Sequence, residues 1–360
     1  MKKLNSALTR KRLTAALLAG LLLILPGCQA KTKSEETTPA STSESQTTAA
    51  TPTPSPSPTP VPPTPTPAID PASFDESKYL DYDNTSLSWW YSPAEADSEQ
   101  PATVSADIQE MVDRHNVIWQ ESDPTEKDLY LTMDCGYEYN RDNTIKLLDE
   151  AKEKGITINF FLTHAYLDSS PDLVKRMLAD GHFVANHTYN HLNPATTLSE
   201  DGIQAMIADV EDQAAAFKEV TGQDMPRYIR PGQGAYSDRV LQIYDDMGYK
   251  TVFWSFAYRD WEVDDQPDPT EALQTVESNL HPGAVLLLHA VSATNIQILP
   301  DLIDYAESEG YVFKSLADYP LYLEGESAPE ATTSETLDTA AAETATAAET
   351  TAATAAVAGD

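Results

Sequence analysis

The chain has 360 residues, 23 Lys and Arg against 57 Asp and Glu, and a formal net charge of -34. That acidic excess excludes a groove tracking nucleic-acid phosphates, because such affinity comes from clustered cations. Low-complexity sequence is confined to the ends, since 11 of the 25 prolines lie between Gln29 and Ala72 and no Lys, Arg or aromatic residue follows Gly325. What remains between them is long enough for one domain with a full core.

Residues 1–28 read as an export signal. Lys2, Lys3, Arg10, Lys11 and Arg12 precede the apolar run Leu13–Leu25, which stops at Pro26-Gly27-Cys28. As a helix that run would rise about 20 Å, short of the roughly 30 Å of a bilayer core, which disfavours a permanent span. Leu25-Pro26-Gly27-Cys28 resembles the bacterial lipoprotein box, although Pro26 departs from its usual small residue. The resemblance implies that Cys28 is lipidated and anchors an exported protein to the outer face of the cell membrane, in the cell-wall space. Removing the signal's five positive charges takes the net charge from -34 to -39, so attachment would be by lipid rather than by charge. Only Cys135 then remains, and no internal disulfide can form.

Residues 29–73 form a Ser/Thr/Pro-rich linker, densest in the alternating prolines from Pro52 to Pro60. Such sequence favours polyproline II and acts as a spacer, with a reach on the order of 100 Å when extended. A single globular domain is expected over residues 74–325, opening with a packed N-terminal extension that carries Trp89, Trp90, Tyr91 and Trp119. Residues 326–360, an Ala/Thr/Glu tail with no apolar face, are expected to be disordered.

From Asp128 onward, seven β-rich runs alternate with helical patterns: Leu129–Asp134, Thr157–Leu162, His182–Asn186, Arg227–Arg230, Thr251–Ser255, Ala284–His289 and Tyr311–Lys314. The helices are punctuated, one by Ser170-Pro171 at its start and Gly181 at its end, another by Gly222. This alternation predicts an α/β fold of parallel strands with outer helices, either a barrel or an open sheet. In both, the site lies at the C-terminal ends of the strands. Asp134 and Cys135, His187, Arg230, Asp260 and Trp261, and His289 all fall there. No Gly-rich phosphate loop is present, so no nucleotide cofactor is expected. His187 and His191 are four apart, and on one helical turn both imidazoles would face a common divalent metal.

Five stretches in order carry a family resemblance: Leu131-Thr-Met-Asp-Cys-Gly136, His187-Thr-Tyr-Asn-His191, Arg230-Pro-Gly-Gln-Gly234, Asp260-Trp261 and Leu286-Leu-Leu-His289. They resemble the motifs of the NodB-like polysaccharide deacetylases, metal-dependent carbohydrate esterases of family 4 built on a distorted (β/α)7 barrel. Leu87-Ser-Trp-Trp-Tyr91, Asp134-Cys-Gly-Tyr-Glu138, Thr251-Val-Phe-Trp-Ser255 and Leu288-His-Ala-Val-Ser292 are similar to the delta-lactam-biosynthetic de-N-acetylases within that family. Those enzymes act on N-acetylmuramic acid in peptidoglycan.

The resemblance implies residue roles. His187 and His191 would hold the metal, Asp134 would be the general base, and Arg230 would keep Asp134 ionised and oriented. His289 would protonate the leaving amine, with Asp260 holding that imidazole charged. The backbone N–H near Gln233 would help stabilise the oxyanion. Trp261 and Leu287 would wall a pocket for the acetyl methyl, and Gln233 and Tyr137 would contact substrate. Most members have Asp at the position of Cys135, as third metal ligand, and the lactam-forming subgroup often has Asn. A Cys135 thiolate would complete a Cys-His-His zinc site with one open position, and its softness would select zinc over manganese or magnesium. Otherwise Cys135 lies outside the shell and water takes its place. Gly232 and Gln233 differ from the Pro and the Arg or Tyr of the family, which bears on substrate contacts.

The leading expectation is a monomeric, lipid-anchored, zinc-dependent N-deacetylase of peptidoglycan amino sugars, acting on N-acetylmuramic acid. Two alternatives stand beside it. One is a deacetylase of N-acetylglucosamine or chitooligosaccharides; the other is a wall-glycan-binding module that has lost catalysis.

Overall fold

The structure is a computed structural model in which residues 67–321 are described. The signal segment with Cys28, most of the linker and the tail at 326–360 lie outside the described residues. In chain order the elements are β1 (Leu87–Ser88), α1 (Ala106–Arg114), β2 (Asp128–Cys135), α2 (Arg141–Lys154), β3 (Asn159–Leu162), α3 (His164–Ser169) and α4 (Pro171–Ala179). There follow β4 (Phe183–Asn186), α5 (Pro194–Glu200), α6 (Ile203–Thr221), β5 (Tyr228–Ile229), β6 (Ala235–Tyr236) and α7 (Asp238–Asp246). The last are β7 (Lys250–Thr251), β8 (Phe256–Ala257), α8 (Pro269–Glu277), β9 (Ala284–His289), α9 (Ala293–Ser308) and β10 (Val312–Phe313).

The main sheet has eight strands in the order β7-β5-β4-β3-β2-β9-β8, and β10 pairs with the start of β2. All of its pairings are parallel. Its two edge strands, β7 and β8, belong to one short segment. Within that segment Val252 N–H donates to Ile229 O at 2.8 Å and Ser255 N–H donates to Val285 O at 2.9 Å. One stretch of backbone therefore closes the curled sheet, and the distorted (β/α)7 barrel is borne out. The run Thr251–Ser255, expected as one strand, instead ends one edge, crosses the gap and starts the other. A continuous apolar run has no periodicity that would reveal the crossing.

The alternation of β2 sorts its side chains into two environments, because successive residues of a strand point to opposite faces. Leu129, Leu131, Met133 and Cys135 pack outward against α2 and α9, with Leu147, Leu148, Leu299 and Leu302. Tyr130 packs with Phe161, Ala185, Val252 and Val285 in a second cluster, on the other face. Thr132 and Asp134 share that face and bond to Arg230. Both faces are covered, which is why the strands read as near-continuous apolar runs.

The expected punctuation holds. Pro171 opens α4, and Gly222 closes α6 at φ 75°, a left-handed conformation that costs glycine nothing.

The N-terminal extension packs as expected, with β1 pairing antiparallel to β6. Trp89 stacks on Phe253 with centroids 4.4 Å apart, and its indole N–H donates to Trp254 O at 2.9 Å. Contacts start earlier than Phe74, within the stretch assigned to the linker. Ile69 N–H donates to a Glu211 carboxylate oxygen at 3.0 Å, and the Arg227 guanidinium donates to Pro67 O at 2.5 Å. Among the described residues no helix is long and apolar enough to cross a membrane.

Candidate active site

The strand ends open into a cleft of about 780 Å³. Its lining includes Asp134, His187, His191, His289 and all four expected substrate contacts, Tyr137, Gln233, Trp261 and Leu287. Arg230 and Asp260 stand behind it, each with 0% of its surface exposed.

Arg230 follows β5 and is held from every side. Its Nη1 donates to Asp134 Oδ1 at 2.7 Å and to Thr132 Oγ1 at 2.9 Å. Its Nε and Nη2 donate to Val252 O and Phe253 O, at 3.3 and 3.1 Å. The guanidinium lies 4.2 Å from the Phe161 ring centroid. A buried cation so fully bonded serves as a fixed counter-charge. Burial alone would raise the Asp134 carboxyl, but Arg230, aided by His187 and His289, holds it below the usual carboxylate range.

His187 follows β4. Its Nδ1–H donates to Arg230 O at 2.8 Å, which leaves Nε2 bearing the lone pair, 3.4 Å from Asp134 Oδ2. Burial pushes this imidazole down to about 4 against the pull of Asp134, so it is neutral at pH 7. Burial also lowers His191. The two rings meet edge to face with centroids 4.7 Å apart.

The segment that joins them is not the expected helical turn. It is a loop with positive φ at Thr188 (65°) and His191 (56°), a conformation uncommon for residues with a Cβ. α6 holds the loop there: Tyr189 N–H donates to Asp209 O at 2.8 Å, and Asn190 N–H to Asp209 Oδ1 at 2.9 Å. From the other side the turn after β5 approaches closely. A Cβ at Gly232 would stand 2.7 Å from Leu192 O and 2.8 Å from His191 C, so only glycine fits. Gln233 N–H then points at His191 Nε2, 3.4 Å away.

The second half of the site is built on β9. His289 Nδ1 is 2.7 Å from Asp260 Oδ1, and its backbone N–H donates to Asp260 Oδ2 at 2.8 Å. Asn295, in the first turn of α9, donates to the same Oδ2. Burial works against the charged imidazole, but Asp260 more than offsets it, and His289 titrates above the ordinary value. Trp261 lies across it, with ring centroids 5.7 Å apart.

The structure places Cys135 apart from this constellation, an arrangement that favours the second of the two readings, in which the thiol lies outside the metal shell. The side chain lies on the outward face of β2 within the core formed with α2 and α9, and it does not line the cleft. Burial, then the charges of Asp134 and Glu138, push the thiol well above its usual value, so it is protonated. Among the described residues no group of three or more His, Cys, Asp or Glu side chains is arranged to hold a metal ion. His187 and His191 fit one as far as they go: both are neutral, and a carboxylate stands beside them.

Sequence reasoning missed several supports. Thr132 and Asn295 orient Arg230 and Asp260; Thr132 sits in a motif quoted above but was given no role, and no local pattern marks Asn295. Trp90 and Tyr91 line the cleft rather than only packing the extension, and Trp90 is 77% exposed. The signal in the sequence was the stretch Leu87-Ser-Trp-Trp-Tyr91, and only tertiary placement shows what its aromatics face.

A carboxylate lowered by Arg230, two neutral imidazoles and a histidine raised by Asp260 thus line one cleft, an arrangement suited to acid–base hydrolysis. The comparisons name the class more closely: the chain belongs to the polysaccharide deacetylase family, whose description matches residues 121–252. An uncharacterised 30.6 kDa protein of Geobacillus stearothermophilus is 38% identical over 221 residues, covering 61% of this chain and 81% of that one. The peptidoglycan-N-acetylmuramic acid deacetylase PdaA of Bacillus subtilis is 35% identical over 221 residues, with the same coverage. The solved structure of Bacillus subtilis PdaA, a family 4 carbohydrate esterase, superposes with a TM-score of 0.60 at 32% identity, covering 66% of this chain and 97% of that one.

Proposed function

We propose that this enzyme hydrolyses the acetamide of N-acetylmuramic acid residues in peptidoglycan, releasing acetate and leaving the free amine. The observation that carries the reading is the pairing of Asp134 with His289 on the adjacent strands β2 and β9 at the floor of the cleft, in a chain whose relative PdaA is named for that substrate. Asp134, kept ionised by Arg230, accepts a proton from the attacking water. His289, kept charged by Asp260, donates a proton to the departing amine nitrogen. The Gln233 N–H, held only by a long contact to His191, is a donor for the oxyanion. Trp261 and Leu287 border the space for the acetyl methyl, and Tyr137 and Gln233 offer contacts to the sugar.

His187 and His191 would hold a divalent metal, which at this position supplies Lewis-acid polarisation of the carbonyl and a more acidic water. Without a thiolate the donor set suits Zn2+ and also Co2+ or Ni2+. Export, acylation at Cys28 and a spacer over residues 29–73 would place a monomeric domain among wall polymers. The test is acetate release from peptide-free glycan strands and from N-acetylglucosamine oligomers, with protein stripped of metal and then reloaded. Release from the oligomers alone would overturn the muramic assignment; release from neither, with folding confirmed, would leave a glycan-binding module.

A further inference from the structure

The cleft carries one cation that the chemistry above does not use. Among its lining residues Arg259 is the only lysine or arginine. Its root is fixed: Ala257 N–H donates to the Tyr91 hydroxyl at 2.8 Å, and that hydroxyl donates to Ala257 O at 3.3 Å. The next residue, Asp260, is buried and bonded to His289. Arg259 thus belongs to the wall that carries the proposed proton donor, while its own side chain is 58% exposed. Its Nη1 is paired at 2.9 Å with Asp265, whose side chain is 71% exposed. An exposed pair of this kind holds its partner weakly, and the rest of the guanidinium fork makes no hydrogen bond among the described residues.

A carboxylate-bearing substrate has an electrostatic problem in this protein. The chain carries -34, and Asp134 in the cleft is ionised. Muramic acid differs from glucosamine by a lactyl ether on O3, the ring position next to the acetamide at C2. An acetamide placed at Asp134 and His289 therefore puts the lactyl carboxylate within a few bonds of the wall that carries Arg259. A planar guanidinium is the side chain suited to a carboxylate, with two parallel N–H donors. We propose that Arg259 binds this lactyl carboxylate, releasing Asp265, and thereby sets the preference for muramic over glucosamine residues. The inference rests on the muramic reading and assigns its specificity to one residue.

The test compares the full chain, loaded with metal, with Arg259→Met and Arg259→Lys on two substrates: peptide-free glycan strands with the free lactyl acid, and the same strands methyl-esterified at that acid. The expected result is that the ratio of kcat/KM on acid to that on ester falls about tenfold in Arg259→Met, chiefly through KM, and recovers in part in Arg259→Lys. An unchanged ratio in Arg259→Met, with the wild-type chain active on muramic residues, overturns this inference alone. A wild-type chain that deacetylates only N-acetylglucosamine oligomers overturns the muramic reading and this inference with it.

Discussion

Asp134 and His289 are register partners across the parallel β2–β9 pair. Neighbouring strands lie about 4.8 Å apart, and partners in register point to the same face, so one stretch of sheet sets the distance between the proposed base and acid. Behind them, and against the effect of burial, Arg230 lowers the Asp134 carboxyl and Asp260 raises the His289 imidazole, so the two shifts favour opposite charges. Asp134→Asn and His289→Gln are each expected to lower kcat by about 10²–10⁴, the span of a lost general base or acid. Asp134→Asn also leaves Arg230 as a buried cation facing a neutral group, at a cost of up to about 3 kcal/mol. Circular dichroism at the assay temperature separates lost chemistry from lost folding.

Cys135 faces the outer core, so its replacement should leave metal binding intact. Cys135→Ala is expected to retain metal content and kcat, and to cost about 1 kcal/mol through the small void it opens. Elemental analysis of the purified variant checks this, and loss of stoichiometric metal would restore the thiol as a ligand.

Gly232→Ala places a Cβ against the backbone of Leu192 and His191. Overpacking against fixed backbone costs about 1–3 kcal/mol, and here relief requires moving the loop that holds His191. Activity should fall at least as steeply as stability, as measured by thermal unfolding beside acetate release.

His115 follows α1 and sits between two carboxylates of α7, with Nε2 at 2.9 Å from Asp238 and Nδ1 at 2.7 Å from Asp245. Burial opposes its charge, but the two partners prevail and raise it above 6.5. A raised histidine stabilises the fold fully below its unfolded value and loses that contribution as pH climbs through its folded value. Stability should therefore decline from about pH 6.5 upward, and His115→Gln should flatten the decline. Urea midpoints for both proteins between pH 6 and 9 decide it; parallel curves would sink the idea.

Much of the site was legible in the chain because its residues end apolar runs, and a strand end has a place in an α/β fold before any contact is known. The alternation of strands with outer helices and the gathering of Asp134, Arg230, Asp260 and His289 at one end follow from that pattern, whereas the strand order and the crossing within Thr251–Ser255 do not. Two arrangements could not be read from spacing. A spacing of four from His187 to His191 suggested a helical turn, yet their meeting depends on Asp209 and Gly232, far away in the chain. Cys135 follows Asp134 directly, and it is the pleat of β2 that turns one into the cleft and the other into the core. Local periodicity thus determined which residues reach the end of the barrel. Tertiary structure alone decided which of them face one another, because orientation there is set by contacts between segments distant in sequence.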